Sequence, residues 1–288
     1  MYKKKPIVIA EIGCNHRGDI TTAKEMMSMA KNFCDADVVK FQKRHNKELL
    51  TPEEYDTPHP NKHNSYGNTY GEHREFLEFS ADEHRELKKH AENIGIEYST
   101  SVWDLTSAQE IAALNPRMIK IPSACNLKFD ILEYLAKNYK GEIHISFGMT
   151  TKEEEKKIVD LFVKNKRAKD VVIYSCTSGY PVDFEDVCLL EIARLKETFG
   201  DVVKEIGFSG HHNGISADIA AYVLGANYIE RHFTLNRTWK GTDHAASLEP
   251  DGLRRLIRDL GAAHKSLTHK KKDILDVEAV QRKKLKRT

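Results

Sequence analysis

The chain of 288 residues is 40% hydrophobic and 31% charged, and its 45 Lys and Arg against 43 Asp and Glu leave a formal net charge of +2. No apolar run reaches the roughly 18 residues of a membrane span, and Met1-Tyr2-Lys3-Lys4-Lys5 enters a short apolar segment with neither a signal-peptide core nor a cleavage site. Residues 265–288 hold nine basic and three acidic residues, so the body is mildly acidic; this argues against nucleic acid as the main partner and marks the end as a solvated basic tail.

In chain order, the first strand-like run covers residues 7–13 and carries Glu11 among apolar neighbours, a setting that suits acid–base chemistry, hydroxyl binding or simple pairing with a lysine on the next strand. A helix is expected after Thr22, with Ala23, Met26, Met27 and Ala30 on one face, and a second run at 37–42 encloses Lys40 in Val38-Val39-Lys40-Phe41. Residues 43–79 are polar and too long for a plain connection; carrying His45, His59, His63, Asn64, Tyr66, Tyr70 and His73, they are expected to form a binding loop on the active-site face. A capping box from Ser80 to Glu83 opens the next helix. Runs at 96–101, 118–123, 142–147, 171–176, 205–211 and 228–233 follow, with helix starts at Thr106, Thr150 and Asp251. Each run is largely apolar, as expected for parallel strands covered by helices.

Eight strand–helix alternations around one core predict a (β/α)8 barrel over residues 6–264, a size close to the roughly 250 residues usual for that fold, with residues 265–288 as the tail. The rival, an open doubly wound sheet with a dinucleotide site, lacks its signature: the first turn reads Gly13-Cys14-Asn15-His16-Arg17-Gly18. The five cysteines, Cys14, Cys34, Cys125, Cys176 and Cys188, show no C-x-x-C spacing; they read as reduced thiols, with the cytoplasm as the expected compartment.

A barrel enzyme places its site at the C-terminal strand ends, and all eight ends here are polar, among them Ser99 to Ser101 and Glu230 to His232. Lys40 and Lys120 lie inside apolar strands, where a lone ammonium is costly; together with hydroxyls at neighbouring ends they favour a pocket for a carboxylate or phosphate over two snorkelling surface lysines. His211 and His232 end adjacent strands. They suit a shared divalent metal, or else two hydrogen-bonded histidines of a site wall, while His212 should face the other way. Asp243 suits a sugar hydroxyl or a helix cap.

These residues sit in stretches that resemble the sialic acid synthase family: Ala10-Glu11-Ile12-Gly13-Cys14-Asn15-His16, Val39-Lys40-Phe41-Gln42, Thr69-Tyr70-Gly71-Glu72-His73, Ile119-Lys120-Ile121-Pro122-Ser123, Cys176-Thr177-Ser178-Gly179-Tyr180-Pro181, Gly207-Phe208-Ser209-Gly210-His211 and Glu230-Arg231-His232-Phe233, with Gly241-Thr242-Asp243-His244 beyond. The likeness spans about residues 6–262, and Thr69 to His73 is most similar to the animal-type branch, which uses a 6-phosphorylated sugar. It implies a (β/α)8 barrel that condenses phosphoenolpyruvate with an open-chain N-acylmannosamine or its 6-phosphate, giving a 2-keto-3-deoxy nonulosonic acid and phosphate. By the same resemblance Lys40, Lys120, Ser123, Ser146, Ser178 and Ser209 hold phosphoenolpyruvate, and His211 and His232 bind Mn²⁺ or Mg²⁺. Glu11, Gln42, Tyr180 and Asp243 contact the sugar, with Asn64 on the long loop, and Glu11 and His232 take part in catalysis.

Two departures from the family stand out. Two positions past Ser123 the family has an acidic residue that handles water or a proton; here Cys125 stands there, so that a thiol acts as a weak acid, Glu11 takes over, turnover is low, or the substrate differs. The family also carries a C-terminal antifreeze-like domain that supports a homodimer and supplies an arginine to the sugar's N-acyl group; residues 277–287 resemble the linker leading to it, and the resemblance covers the barrel alone. Related keto-sugar acid synthases use a cysteine near the end of the first strand as a metal ligand, one residue from where Cys14 aligns. The competing readings are a relative acting on another aldose or aldose phosphate, a Schiff-base aldolase built on Lys40 or Lys120, and a sugar- or phosphate-binding barrel without catalysis.

Overall fold

In the computed structural model, which describes residues 4–287, eight parallel strands close in sequence order into one barrel. Residues 1–3, the start of the segment weighed above as a signal peptide, lie outside the described residues, as does residue 288. The strands are β1 (Ile7–Gly13), β2 (Val38–Lys43), β3 (Glu97–Val102), β4 (Met118–Ile121), β5 (Glu142–Ser146), β6 (Val171–Cys176), β7 (Glu205–Gly210) and β8 (Tyr228–His232). The helices are α1 (Ile20–Asn32), α2 (Asn46–Leu49), α3 (Pro52–Asp56), α4 (Tyr70–Leu77), α5 (Ala81–Ile94), α6 (Leu105–Ala113), α7 (Phe129–Asn138), α8 (Lys152–Lys164), α9 (Leu190–Phe199), α10 (Ser216–Leu224), α11 (Pro250–Ser266) and α12 (Asp276–Leu285). This is the (β/α)8 architecture that the alternation predicts.

The strands are not apolar throughout, and the reason is their two-residue period. Outward positions such as Val8, Ala10, Ile12, Val39, Phe41, Ile119, Ile143 and Ile173 pack with the helices in one apolar layer. Inward positions change character along each strand. Ile9, Val38, Met118 and Tyr228 cluster with Val172 and Tyr174 inside the barrel, and two residues further along stand Glu11, Lys40, Lys120 and Glu230. The apolar layer thus forms the floor of a charged cavity.

Most helix starts differ from the expected ones because a nearby side chain reaches the orphan N–H groups better. Asp19, rather than Thr22, caps α1 and accepts from the Thr21 and Thr22 amides; Asp104, rather than Thr106, caps α6 and accepts from the Ser107 amide. The α8 capping box is Thr151 with Glu154, one residue beyond Thr150, and Asp251 lies in the first turn of α11 rather than capping it. The Ser80 and Glu83 box of α5 forms as expected.

Residues 43–79 are not an irregular loop: they hold α2, α3 and α4, with capping boxes at Thr51 and Thr69. They do fold over the C-terminal end of the barrel. The Tyr66 hydroxyl donates to the Lys240 carbonyl, and the Lys240 ammonium lies 4.8 Å from the Tyr66 ring centroid, so this segment is joined to the connection after β8. The basic tail contains α12, which has no buried residue. No helix among the described residues is long and apolar enough to cross a membrane.

Candidate active site

The inward charges open into a cavity of about 390 Å³ at the C-terminal strand ends. Strand register assembles it: Glu11 is paired with Lys40 on one side and His232 on the other, Ser101 with Lys120, and Ser209 with Glu230. The Lys40 ammonium contacts Glu11 Oε2, donates to Ser101 Oγ at 2.7 Å and lies 3.8 Å from Glu230 Oε1. Lys120 Nζ is 2.8 Å from the same Glu230 oxygen, which also accepts from Ser209 Oγ at 3.1 Å, and it lies 3.9 Å from the Tyr174 ring centroid. Gln42 donates to Glu11 Oε1 at 3.1 Å. Two ammonium groups and two carboxylates therefore balance in a space where Lys40 and Lys120 are each 3% exposed. The pairing of Glu11 with Lys40, open at the level of the sequence, is present.

Burial works against every charge in this network, and the partners decide the outcome. Burial opposes the Glu230 charge, yet Lys120 and Lys40 beside it hold its carboxyl well below the ordinary range. Burial also opposes the Lys40 charge, but Glu11 and Glu230 together raise its pKa. Burial lowers the Lys120 pKa; Glu230 is the one carboxylate that offsets it, and Lys40 repels the charge, so the net shift is down.

His211 and His232 face the same cavity with ring centroids 5.4 Å apart. The Thr177 carbonyl accepts from His211 Nδ1 at 2.9 Å, which leaves the lone pair on Nε2; burial, with His232 nearby, pushes the His211 pKa down to about 3 and keeps the ring neutral. His232 Nδ1 is buried with no hydrogen-bond partner among the described residues, and Asp243 Oδ2 is 3.9 Å from it. Tyr180 packs 4.3 Å from the His211 ring. Two imidazoles with free lone pairs fit a divalent cation, but no group of three or more His, Cys, Asp or Glu among the described residues converges on one position. His212 turns outward as expected, into a fully buried cluster with Arg231 and Asp218.

Ser123, Ser146 and Ser178 line the third wall. Gly148 brings two of them together: its amide donates to Ser123 Oγ at 3.0 Å, and a Cβ there would lie 2.4 Å from Ser178 Oγ and 2.7 Å from Ser123 Oγ. Two expected site residues fall elsewhere. Cys125 is 4% exposed and belongs to the apolar layer outside the barrel, Ala124 lines the cavity in its place, and burial pushes the Cys125 thiol up to about 12, so it is no acid–base group at neutral pH. Asn64 does not line the cavity; its amide donates to Asn61 Oδ1 in a local turn. From the same segment the fold brings in His59, Tyr70, His73, Arg74 and Leu77.

In the sequence Glu230 and Ser101 stand out only as polar strand ends; their two-residue spacing from His232 and Ser99 is the signal that places them inward. Arg44 and Arg74 carried no signal, since neither lies in a strand pattern. Arg44 donates to Cys14 Sγ at 2.7 Å and pairs with Glu78, and burial pushes the Cys14 thiol up to about 12.

Residues 26–272 match the model of the NeuB family. The chain is 40% identical over 278 residues to human N-acetylneuraminate-9-phosphate synthase, covering 96% of this chain and 76% of the relative, and 32% identical to N,N'-diacetyllegionaminic acid synthase of Campylobacter jejuni, covering 92% and 78%. Its structure superposes with a TM-score of 0.80, at 26% identity and over 99% of this chain and 94% of the other, on N-acetylneuraminic acid (sialic acid) synthetase from Leptospira borgpetersenii in complex with citrate. With a family model spanning most of its length and a relative of this identity, the chain belongs to the NeuB family.

Proposed function

We propose that this protein condenses phosphoenolpyruvate with an open-chain N-acylmannosamine, or its 6-phosphate, to a 2-keto-3-deoxy nonulosonic acid and inorganic phosphate. The observation that carries the reading is the convergence, over one cavity, of the Lys40, Lys120, Glu230 and Ser209 network with the His211 and His232 pair. Lys40 and Lys120 offset the negative charge of phosphoenolpyruvate, and Ser123, Ser146, Ser178 and Ser209 offer hydroxyls to its phosphate and carboxylate. Glu230 holds the two ammonium groups together, which would otherwise repel each other in a dry site.

The enolpyruvate C3 forms the new bond to the sugar aldehyde carbon and the carbonyl oxygen takes up a proton. Water then adds at C2, and phosphate leaves with cleavage of its C–O bond. Glu11, oriented by Gln42 and Lys40, is the carboxylate at the sugar end; with Cys125 in the core, it is the group in this reading that moves a proton. Asp243 and Tyr180 at the mouth position the sugar. His211 and His232 would hold Mn²⁺ or Mg²⁺, which when bound supplies Lewis-acid polarisation of the aldehyde. A cytoplasmic homodimer completes the reading.

The test is phosphate release from phosphoenolpyruvate with mannose, N-acetylmannosamine, arabinose and their phosphates. Release with an N-acylmannosamine or its phosphate is the expected result; release with another aldose alone redefines the substrate, and release with none overturns the reading. Chelation by EDTA should abolish activity and Mn²⁺ or Mg²⁺ restore it. Borohydride trapping of pyruvate on a lysine would instead establish a Schiff-base aldolase.

A further inference from the structure

One fully buried charged cluster lies outside the cavity and takes no part in the reaction proposed above. On β8 the residue before His232 is Arg231, whose side chain alternates away from the cavity and, 1% exposed, enters a cluster with His212 and with Asp218 of α10, both wholly buried. Arg231 Nη1 pairs with Asp218 Oδ2 at 2.5 Å and reaches His212 Nε2 at 3.1 Å. Its other contacts are to backbone: Nη1 donates to the Gly214 carbonyl at 2.8 Å, and Nη2 to the His212 carbonyl at 2.6 Å.

Those two carbonyls belong to the chain just after His211, where the sheet no longer holds it. The β7–β8 register ends at Gly210 paired with Arg231, so His211 lies one residue past the last ladder pair. His232 is fixed from its other side, by its pairing with Glu11 of β1. His211 is tied toward β6: its carbonyl accepts from the Val182 amide at 3.1 Å, and its Nδ1 donates to the Thr177 carbonyl at 2.9 Å. Between the His211 segment and β8 the Arg231 fork therefore takes the place of ladder hydrogen bonds, and its planar N–H groups fix the direction as well as the distance of the carbonyls they hold. The cluster is poorly suited to stability alone. Arg231 Nε, Asp218 Oδ1 and His212 Nδ1 are buried without hydrogen-bond partners among the described residues, and a buried ion pair is often no more stabilising than apolar side chains of similar volume.

We infer that Arg231, oriented by Asp218, is a positioning residue that sets the separation and direction of His211 and His232 for a divalent cation. The inference rests on the cation reading of that pair given above and extends it to residues that touch neither substrate nor cation. Arg231 adjoins one imidazole in the chain and holds the backbone next to the other. Loss of the fork frees His211 to drift relative to His232, while the hydrogen bonds of Lys40, Lys120 and Ser209 in the cavity, none of which involves the cluster, remain in place.

The experiment measures Mn²⁺ binding, from the electron paramagnetic resonance of the free ion, and the visible absorption of bound Co²⁺. It compares wild type, Arg231→Lys and the double variant Arg231→Met with Asp218→Leu, which removes both sides of the ion pair and so buries no lone charge. Thermal unfolding reports whether each variant folds. The double variant is expected to bind Mn²⁺ about 10- to 100-fold more weakly and to show an altered Co²⁺ spectrum, with a lower kcat and a KM for phosphoenolpyruvate within about 2-fold; Arg231→Lys, which keeps the charge but not the fork, should lie between it and wild type. Folded variants that bind Mn²⁺ within about 2-fold of wild type, with an unchanged Co²⁺ spectrum, overturn the inference. Failure of both variants to fold also overturns it, because the cluster then serves stability alone. A wild type that binds neither ion overturns the cation reading and this inference with it. Arg231-dependent Mn²⁺ binding in a protein that turns over no sugar supports the inference and overturns the reaction.

Discussion

The two ends of the barrel both bury charge, and comparing them shows which kind of buried charge marks a site. At the N-terminal end the Glu142 carboxylate is enclosed by His144 at 3.4 Å, Tyr228 at 2.9 Å, Lys204 at 2.9 Å and Arg117 at 3.3 Å, while His144 meets the Tyr174 hydroxyl at 2.7 Å. Neither Glu142 nor His144 keeps a buried unpartnered polar atom. At the C-terminal end the charges balance but the hydrogen bonds do not: Glu230 Oε2 and His232 Nδ1 are buried without hydrogen-bond partners among the described residues. Buried polar groups are nearly always satisfied in a folded protein; Glu230 and His232 line the cavity, where a ligand can reach them, whereas the unsatisfied atoms of His212, Asp218 and Arg231 lie in the sealed cluster outside the barrel. The closed network at the base is a plug; the open one at the top is the candidate site.

The comparison can be broken most directly at Lys120. Lys120→Met should lower kcat/KM for phosphoenolpyruvate by about 10³-fold or more with little loss of stability, because Glu230 keeps Lys40 and Ser209. If the variant unfolds instead, the upper network is as structural as the lower. Glu142→Gln should show the reverse: a loss of about 2–3 kcal/mol in denaturant unfolding, with the KM for phosphoenolpyruvate unchanged.

The same variant sharpens the comparison through pH. Burial opposes the Glu142 charge, but hydrogen bonds from His144, Lys204 and the Tyr228 hydroxyl bring its carboxyl well below the ordinary range. A carboxyl depressed in the folded state stabilises fully above its unfolded pKa of about 4.3 and loses that contribution as the pH falls further. The stability gap between wild type and Glu142→Gln should therefore be constant from pH 7 to about pH 5 and shrink below about pH 4. A gap that does not change with pH would show that Glu142 acts through packing.

The smallest effect belongs to Cys125. With its thiol in the apolar layer, Cys125→Ala should cost about 1 kcal/mol of stability and change kcat by less than about 2-fold. A large fall in kcat at intact stability would return Cys125 to the catalytic set and contradict its placement outside the cavity.

Much of the molecule is legible before folding because two periods are written into the chain. The alternation of short β-rich runs with amphipathic helices predicts the barrel, and the two-residue period within each strand places Glu11, Lys40, Lys120, Ser209 and His232 on inward positions at one end. Family motifs coincide with those positions because the site is built from strand ends, where backbone geometry leaves little choice. Asn64 and Cys125 stand away from the cavity that their motifs suggest, for a different reason. Each lies in a connection, where a residue's direction depends on local turns, and neither a motif nor a period reports a turn. Helix caps such as Asp19 and Asp104 were missed because a threonine or serine nearby satisfies the same pattern.

The sequence by itself determined the barrel, its orientation and the inward-facing strand residues, since these follow from side-chain alternation and the burial of apolar faces. Tertiary structure alone decided that Glu230 joins both lysines, that Cys125 turns into the core, and that Arg74 lines the cavity beside the Tyr70 and Trp103 rings. These are distances between segments far apart in the chain. They depend on how residues 43–79 pack across the barrel end, and local patterning carries no information about such distances.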